Sequence, residues 1–178
     1  MKLDIAGIEQ QLWPNGGNRN VYMILDGARH RRIYSDLMNS HLIYSCLYSG
    51  DLTFELEVAA PQLVQLEFED KFTRGLIEKS WGNSWGVFLQ SDTRMERLRR
   101  HLRTFLRVKT WRGQNLIFRY YDPRILRVYL PTCTTDELQT VFGPIQHFWT
   151  ESEDADTLLR FTFHRGRLTQ QNFISRAR

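Results

Sequence analysis

The sequence has few cysteines and no long hydrophobic run. Its two cysteines, Cys46 and Cys133, are far apart and neither belongs to a C-x-x-C pair, so we exclude a secreted disulfide scaffold and expect two reduced thiols. No stretch approaches the ~18 consecutive apolar residues of a membrane-spanning helix. The N-terminus, MKLDIAGIEQQLW, lacks the uninterrupted apolar segment of a signal peptide. These absences predict a cytoplasmic protein that does not insert into a membrane.

Sequence motifs of the common enzyme classes are also missing. There is no G-x-S-x-G, Walker A or G-x-G-x-x-G pattern, which removes the usual hydrolase, nucleotide and dinucleotide sites. The five histidines lack the H-x-x-x-H and H-E-x-x-H spacings, so we expect no metal site. Asp26 follows a predicted strand, but the second aspartate of a haloacid-dehalogenase-type phosphatase is replaced by Ala28. We therefore expect Asp26 and Asp122 to be loop or cap carboxylates, and we predict neither a cofactor nor catalysis.

Lysine is scarce, whereas arginine is abundant. Of the 24 basic residues, four are lysine and 20 are arginine, and the net charge is +4. Residues 1–90 carry eight basic and eleven acidic side chains, whereas residues 91–178 carry 16 and nine. A basic half is typical of proteins that bind nucleic acid, so an arginine-rich nucleic-acid-binding module stays open as an alternative. Arginine is also enriched, with tryptophan and tyrosine, at protein–protein hot spots.

Strands and helices alternate along most of the chain. We predict strands at about 21–25, 43–48, 63–66, 85–89, 148–149 and 158–163, and helices at about 4–13, 33–38, 52–59, 71–80, 123–130 and 134–142. This order predicts the α/β class, with a mixed β-sheet flanked by helices and a small C-terminal lobe of helix and strand. The length favours a single domain, residues 1–178, with possible lobes at 1–130 and 131–178.

The strongest predicted element is a helix over residues 93–107. Thr93 and Glu96 have the spacing of a capping box, in which a hydroxyl and a carboxylate bind free amides of the first turn. Four arginines recur at three- and four-residue steps and share one face: Arg97, Arg100, Arg103 and Arg107. We name these four the arginine row and predict that they contact a partner. Residues 108–121 follow as a predicted hairpin.

Aromatic residues provide the other candidate contacts. Trp81 and Trp85 are close in sequence, and Tyr120 and Tyr121 are adjacent. Because successive side chains of a strand face opposite sides, these aromatics cannot all point inward, and we predict that they contribute to partner binding. Arg124, near the predicted start of the following helix, completes the candidate set.

Seven short phrases occur in a fixed order along residues 25–144. They are LDGAR, CLYSGDL, PQLVQLE, WGNSWGVFLQS, LRRHLRTFLRV, LIFRYYDPRILRVYLPTCT and ELQTVFGP. Together they closely resemble the effector adaptor-chaperone family of the bacterial type VI secretion system, formerly a domain of unknown function. The phrases FRYYDPRIL…LPTC and WGNSWGVFL are the specific ones, and the resemblance spans about residues 20–165.

The resemblance implies a binding protein without an active site. Such adaptors hold one cognate toxic effector in the cytoplasm and bring it to the valine-glycine-repeat spike protein at the tip of the injection tube. The shared motifs imply structural roles here: Asp26-Gly27 turns the first strand, Trp81-Gly82 and Trp85-Gly86 pack a strand entry, and Asp122-Pro123-Arg124 starts a helix. The implied partners are the effector and the spike protein.

The excess of positive charge is local. Residues 94–127 hold 11 basic and two acidic side chains. On adjoining elements of a folded unit, this excess favours a protein-docking surface whose arginines form forked hydrogen bonds with carboxylates, and no nucleic acid is expected there. Nucleic-acid binding through the arginine row, and hydrolysis by Asp26 or Asp122, are the competing hypotheses.

Overall fold

The computed structural model describes residues 3–14, 16–17, 19–109 and 111–174. Its elements are α1 (Ile5–Leu12), β1 (Val21–Asp26), a 3-10 turn (Gly27–Arg29), α2 (Arg32–Met38), β2 (Tyr44–Cys46), α3 (Phe54–Ala59), β3 (Pro61–Leu66), α4 (Lys71–Ser80), β4 (Gly86–Gln90), α5 (Met95–Thr104), β5 (Arg107–Lys109), β6 (Asn115–Ile117), α6 (Pro123–Thr132), α7 (Thr135–Phe142), β7 (His147–Glu151), β8 (Thr157–His164) and β9 (Arg167–Ile174). Within the described ranges, no helix is long and apolar enough to cross a membrane.

Seven of the strands form one sheet in the order β2-β3-β1-β4-β7-β8-β9, and β5 and β6 form a separate hairpin. The predicted α/β class is confirmed. Every strand pair among the described residues is antiparallel, so the parallel pairs of a mixed sheet are not found there. The inner strands β1, β3 and β4 are buried along nearly their whole length. Burial on both faces produces the continuous apolar runs that parallel strands usually show.

Helices cover both faces of the sheet. α5, α6 and α7 pack on one face, where Leu98 and Leu126 belong to the same apolar cluster. α1, α2 and α4 pack on the other face through a second cluster, which includes Ile8, Ile33 and Ile77. The result is three layers, because a sheet that is apolar on both faces must bury each face against another layer.

α5 is shorter than the predicted helix and lacks the predicted capping box. It begins one residue after Arg94, whose carbonyl oxygen accepts the first helical hydrogen bonds and whose side chain makes no cap bond. Thr93 lies outside the helix, and its carbonyl oxygen accepts a hydrogen bond from the Tyr22 hydroxyl at 2.9 Å. The capping-box prediction is wrong because this tertiary contact holds Thr93 in place. Arg107 lies beyond the helix, at the start of β5.

The C-terminal segment continues the main sheet. β7 pairs with β4, β8 with β7, and β9 with β8. β9 has no counterpart among the predicted strands, because most of its side chains are polar and exposed and no apolar alternation marks it. The division into lobes at residue 130 stays a prediction, and that boundary falls inside α6.

His147, on β7, gives the fold a pH dependence. Burial, together with the charges of Arg160 and Arg19, lowers the pKa of its imidazole to about 4. The unfolded chain, with an ordinary histidine pKa of about 6.5, takes up the proton first. The neutral imidazole therefore contributes to the free energy of unfolding above the ordinary histidine pKa. This contribution is lost as the pH falls from there toward 4.

We expect a His147→Gln variant to lose less stability than the original protein when urea unfolding is compared at about pH 7 and about pH 5. The glutamine has no proton to bind in this range, so the contribution of the imidazole disappears. Equal losses in the two proteins would contradict the low pKa of His147.

Candidate functional site

Two buried carboxylates lie at the end of β1 and at the start of α6. Asp26 is 1% exposed, accepts a hydrogen bond from the Ala28 amide at 3.2 Å and forms an ion pair with Arg119. Asp122 is also 1% exposed, caps α6 and binds the Arg124 guanidinium through hydrogen bonds of 3.0 and 2.6 Å. The expectation that both are cap carboxylates is confirmed.

The ion pairs also favour the charged forms of Asp122 and Arg119. Burial opposes ionisation of Asp122, but the hydrogen bonds and charge of Arg124 outweigh it and hold the pKa of the carboxyl below its usual value. The hydrogen bond to Asp26 raises the pKa of Arg119. Arg124, a predicted partner contact, is half-exposed but already engaged with Asp122. The Asp26–Arg119 pair therefore joins β1 to the segment before α6, whereas the Asp122–Arg124 pair lies within the start of α6.

One buried glutamate holds the W-G-N-S-W-G segment between α4 and β4. Glu151 accepts hydrogen bonds from the backbone amides of Gly82 and Ser84, the latter at 3.0 Å. The half-buried Trp81 donates its indole N–H to a backbone carbonyl of the β7–β8 turn at 2.7 Å. Trp85 is buried in the cluster beneath α1, α2 and α4. Of the two predicted tryptophan contacts, only Trp81 reaches the surface.

Tyr120 and Tyr121 are both buried. The prediction that neighbouring aromatics cannot all point inward is wrong for this pair, because they lie in a turn before α6 and the alternation of a strand does not apply. The Tyr120 hydroxyl donates to the carbonyl of Leu102 at 2.9 Å. Burial raises the pKa of both phenols. Neither ring is available to a partner on the folded surface.

The arginine row lies along α5 and the start of β5. Three of its members are exposed and Arg103 is half-buried. In the part of the chain that the structure describes, no carboxylate oxygen lies within 4.0 Å of any of their guanidinium nitrogens. Arg99 differs, because it donates to the carbonyls of Cys46 and Tyr48 at 2.6 and 3.1 Å. The row is thus a cationic surface that forms no ion pair with any residue the structure describes.

An open groove of about 320 Å³ lies beside the arginine row. The loop at 47–49 and the last turn of α5 line it, and Arg100, Arg103 and Arg107 all border it. Leu47 and Leu106 are its buried apolar members. We call it the arginine groove. Its lining thus combines several guanidinium groups with polar side chains and two buried leucines.

The β5–β6 hairpin exposes apolar side chains beside this groove. Trp111, at its turn, is 88% exposed, and Val108, Leu116 and Ile117 are exposed on its strands. We call these four residues the hairpin surface. Arg112 stacks on the indole, with its guanidinium carbon 4.6 Å from the ring centroid. The sequence predicts the hairpin but not this exposure, since the run of apolar letters suggests burial. The hairpin stands outside the main sheet as two strands alone. Without further strands or a packed helix, such a hairpin buries little of its apolar surface.

One small group of side chains could hold a metal ion. Ligand atoms of His41, Glu67 and Asp70 lie within 4.8 Å of one another. The His41 Nε2 atom is 3.2 Å from Asp70 Oδ1 and 3.6 Å from Glu67 Oε2. Asp70 also caps α4. Sequence spacing gave no signal for this group, because its members come from two separate loops.

The comparisons with known proteins give one match. Residues 21–140 match the model of a family described as a domain of unknown function, DUF4123. This range contains the buried carboxylates, the W-G-N-S-W-G segment, the arginine row and the hairpin surface. No significant match was found among curated proteins or among solved structures.

Proposed function

The chain belongs to the family described as a domain of unknown function, DUF4123, and from this premise we propose that the protein is a non-catalytic adaptor-chaperone. In this proposal it binds a cognate type VI secretion effector in the cytoplasm and recruits it to the valine-glycine-repeat spike protein. The family match covers nearly all of the ordered phrases that resemble that adaptor family, which supports the proposal.

The observation that carries the proposal is the exposure of the hairpin surface. Val108 and Leu116 are cross-strand partners on one face of the hairpin, and adjacent exposed apolar side chains of this kind mark sites of association on soluble proteins. An indole beside arginines is also the composition of a binding hot spot. An adaptor needs such a surface for its cargo, whereas a protein without partners gains nothing from exposing it.

The positions of the two motif aspartates favour binding over hydrolysis. A nucleophile or general base must reach the substrate, whereas Asp26 and Asp122 are buried and ion-paired with arginines of the same chain. Asp26, through Arg119, links β1 to the segment before α6, and Asp122 caps α6, so both support the scaffold that presents the hairpin.

Co-expression with the product of the neighbouring gene tests the proposal directly. We expect the two proteins to co-elute in size-exclusion chromatography, the effector to be less soluble without the adaptor, and the spike protein to retain the effector only when the adaptor is present. If the two proteins never co-elute and effector solubility is unchanged, the proposal fails.

A double substitution on the hairpin surface locates the contact. We expect Trp111→Ser/Leu116→Ser to weaken effector binding by about 2 kcal/mol or more, roughly 30-fold in Kd, because hot-spot aromatics contribute on this scale. Both side chains are exposed, so thermal stability should stay within about 0.5 kcal/mol of the original. Calorimetric titration measures the affinity.

The matched control is Met38→Ser/Val128→Ser, which also removes two exposed apolar side chains, but from α2 and α6. This control should bind the effector like the original protein. If the control loses as much affinity as the hairpin variant, or the hairpin variant loses none, the hairpin is not the contact.

A further inference from the structure

The arginine groove is bordered by positively charged side chains. Three other arginines form ion pairs among the described residues: Arg74 lies 2.8 Å from a Glu9 oxygen, and Arg119 and Arg124 bind buried aspartates. The arginine row has no ion pair with a carboxylate among the described residues. Like charges three or four residues apart on a helix repel one another, so the spacing of Arg97, Arg100 and Arg103 on α5 costs stability.

The lining of the groove suits an occupant that has both negatively charged and apolar side chains. Arg100 and Arg103 border it from α5, and Arg107 borders it from β5. Ile117, which pairs with Arg107 across the hairpin, is exposed and provides accessible aliphatic surface beside these cations. An occupant that satisfies both parts must carry negative charge and aliphatic surface together.

A carboxylate-bearing protein segment fits better than a nucleic acid. The planar guanidinium fork matches a carboxylate with two parallel hydrogen bonds. Next to the groove, Ile117 pairs with Arg107 across the hairpin and is exposed, so on the same face as Arg107 it offers aliphatic surface, which a phosphate backbone cannot use. Nucleic-acid affinity comes mainly from contacts with phosphates, for which aliphatic side chains give no partner.

We propose that the arginine groove binds an acidic, leucine-containing segment of a partner protein, whose carboxylates pair with Arg100, Arg103 and Arg107. The inference rests on the proposed function only in taking that partner to be the effector or the spike protein. The recognition itself depends on the groove alone.

The experiment uses the full chain and labelled peptides in fluorescence anisotropy. The probe is a peptide of Glu-Glu-Leu repeats, compared with the same peptide in Gln-Gln-Leu form and with a labelled DNA duplex. We expect the Glu peptide to bind at least about tenfold more tightly than the Gln peptide, since both have similar shape and only one carries charge. Binding should weaken as salt rises, because exposed charge pairs are screened.

The variant Arg100→Glu/Arg103→Glu should lose affinity for the Glu peptide by about tenfold or more and gain affinity for a Lys-Lys-Leu peptide. The matched control is Arg31→Glu/Arg32→Glu, which changes the net charge equally but lies at the start of α2, in the layer across the sheet. The control should bind the Glu peptide within about twofold of the original. A neutral variant, Arg100→Gln/Arg103→Gln, keeps the test valid if the glutamates disturb folding.

Several outcomes would overturn the inference. These are equal binding of the Glu and Gln peptides, binding of neither, equal losses in the groove variant and its control, or binding of the DNA duplex but not of the peptide. The last would favour the nucleic-acid alternative. If the effector co-elutes while the Glu peptide does not bind, the groove inference fails and the proposed function stands. If the peptide binds while no effector co-elutes, the groove inference stands and the proposed function fails.

Discussion

Replacing Arg119 with methionine is expected to destabilise the protein by about 3–5 kcal/mol. Arg119 ion-pairs with Asp26, whose side chain is 1% exposed and remains behind at the end of β1 when the guanidinium is removed. A buried carboxylate without its partner is costly because it has lost both water and the compensating charge. Urea unfolding at neutral pH measures the effect.

A double-mutant cycle separates the ion pair from the loss of packing. Adding Asp26→Asn to Arg119→Met removes the stranded charge, so the double variant should regain at least about 1 kcal/mol over Arg119→Met alone. The matched control is Arg112→Met, an exposed arginine on the hairpin, with an expected change within about 0.5 kcal/mol. If Arg119→Met behaves like this control, the pair does not hold β1 to the segment before α6.

Replacing Gly86 with alanine is expected to destabilise by about 3 kcal/mol or more, because overpacking against backbone cannot be relieved by a rotamer change. Gly86 begins β4 and pairs with Leu25 of β1. A Cβ atom built there would lie 2.0 Å from the Ile24 carbonyl oxygen. The two central strands would have to separate. Thermal unfolding monitored by circular dichroism would measure the loss.

The substitution Gly75→Ala is expected to have the opposite effect, a gain in stability. Gly75 lies inside α4, and nothing would lie within 4 Å of its added Cβ. Alanine at an unhindered helix position stabilises by about 0.5–1 kcal/mol. If Gly86→Ala and Gly75→Ala change the stability by the same amount, the short distance from the added Cβ to the Ile24 carbonyl oxygen does not destabilise the Gly86→Ala variant.

Local patterns in the sequence were sufficient for most of the fold. Helical spacing and caps located α1, α4 and α6, and continuous apolar runs located β1 and β4, because these signals depend only on residues near in sequence. The direction of the strands could not be predicted, since burial on both faces gives the same pattern in parallel and antiparallel sheets. β9 is mostly polar and therefore gave no signal.

The candidate site was only partly predictable, because sequence patterns depend on residues near in sequence and do not report tertiary contacts. The spacing of the arginine row on a helix placed Arg97, Arg100 and Arg103 together. Whether a carboxylate from elsewhere in the chain neutralises them depends on tertiary contacts. Tyr120 and Tyr121 were expected on a strand and lie in a turn. The exposure of Trp111 follows from the position of its hairpin outside the main sheet, which no local pattern records.

The hairpin has fixed ends, and this affects the entropy of binding. At its base the Phe118 amide donates to the Leu106 carbonyl at 2.9 Å, Leu106 is buried, and the adjacent Arg119 is ion-paired with Asp26. Both ends of the hairpin are therefore already immobilised in the free protein. Ordering a side chain on association costs about 0.5–1.5 kcal/mol, and a preorganised surface avoids part of that cost. A partner would thus meet a surface whose orientation is set before the encounter, leaving mainly the side chains near Trp111 to lose mobility.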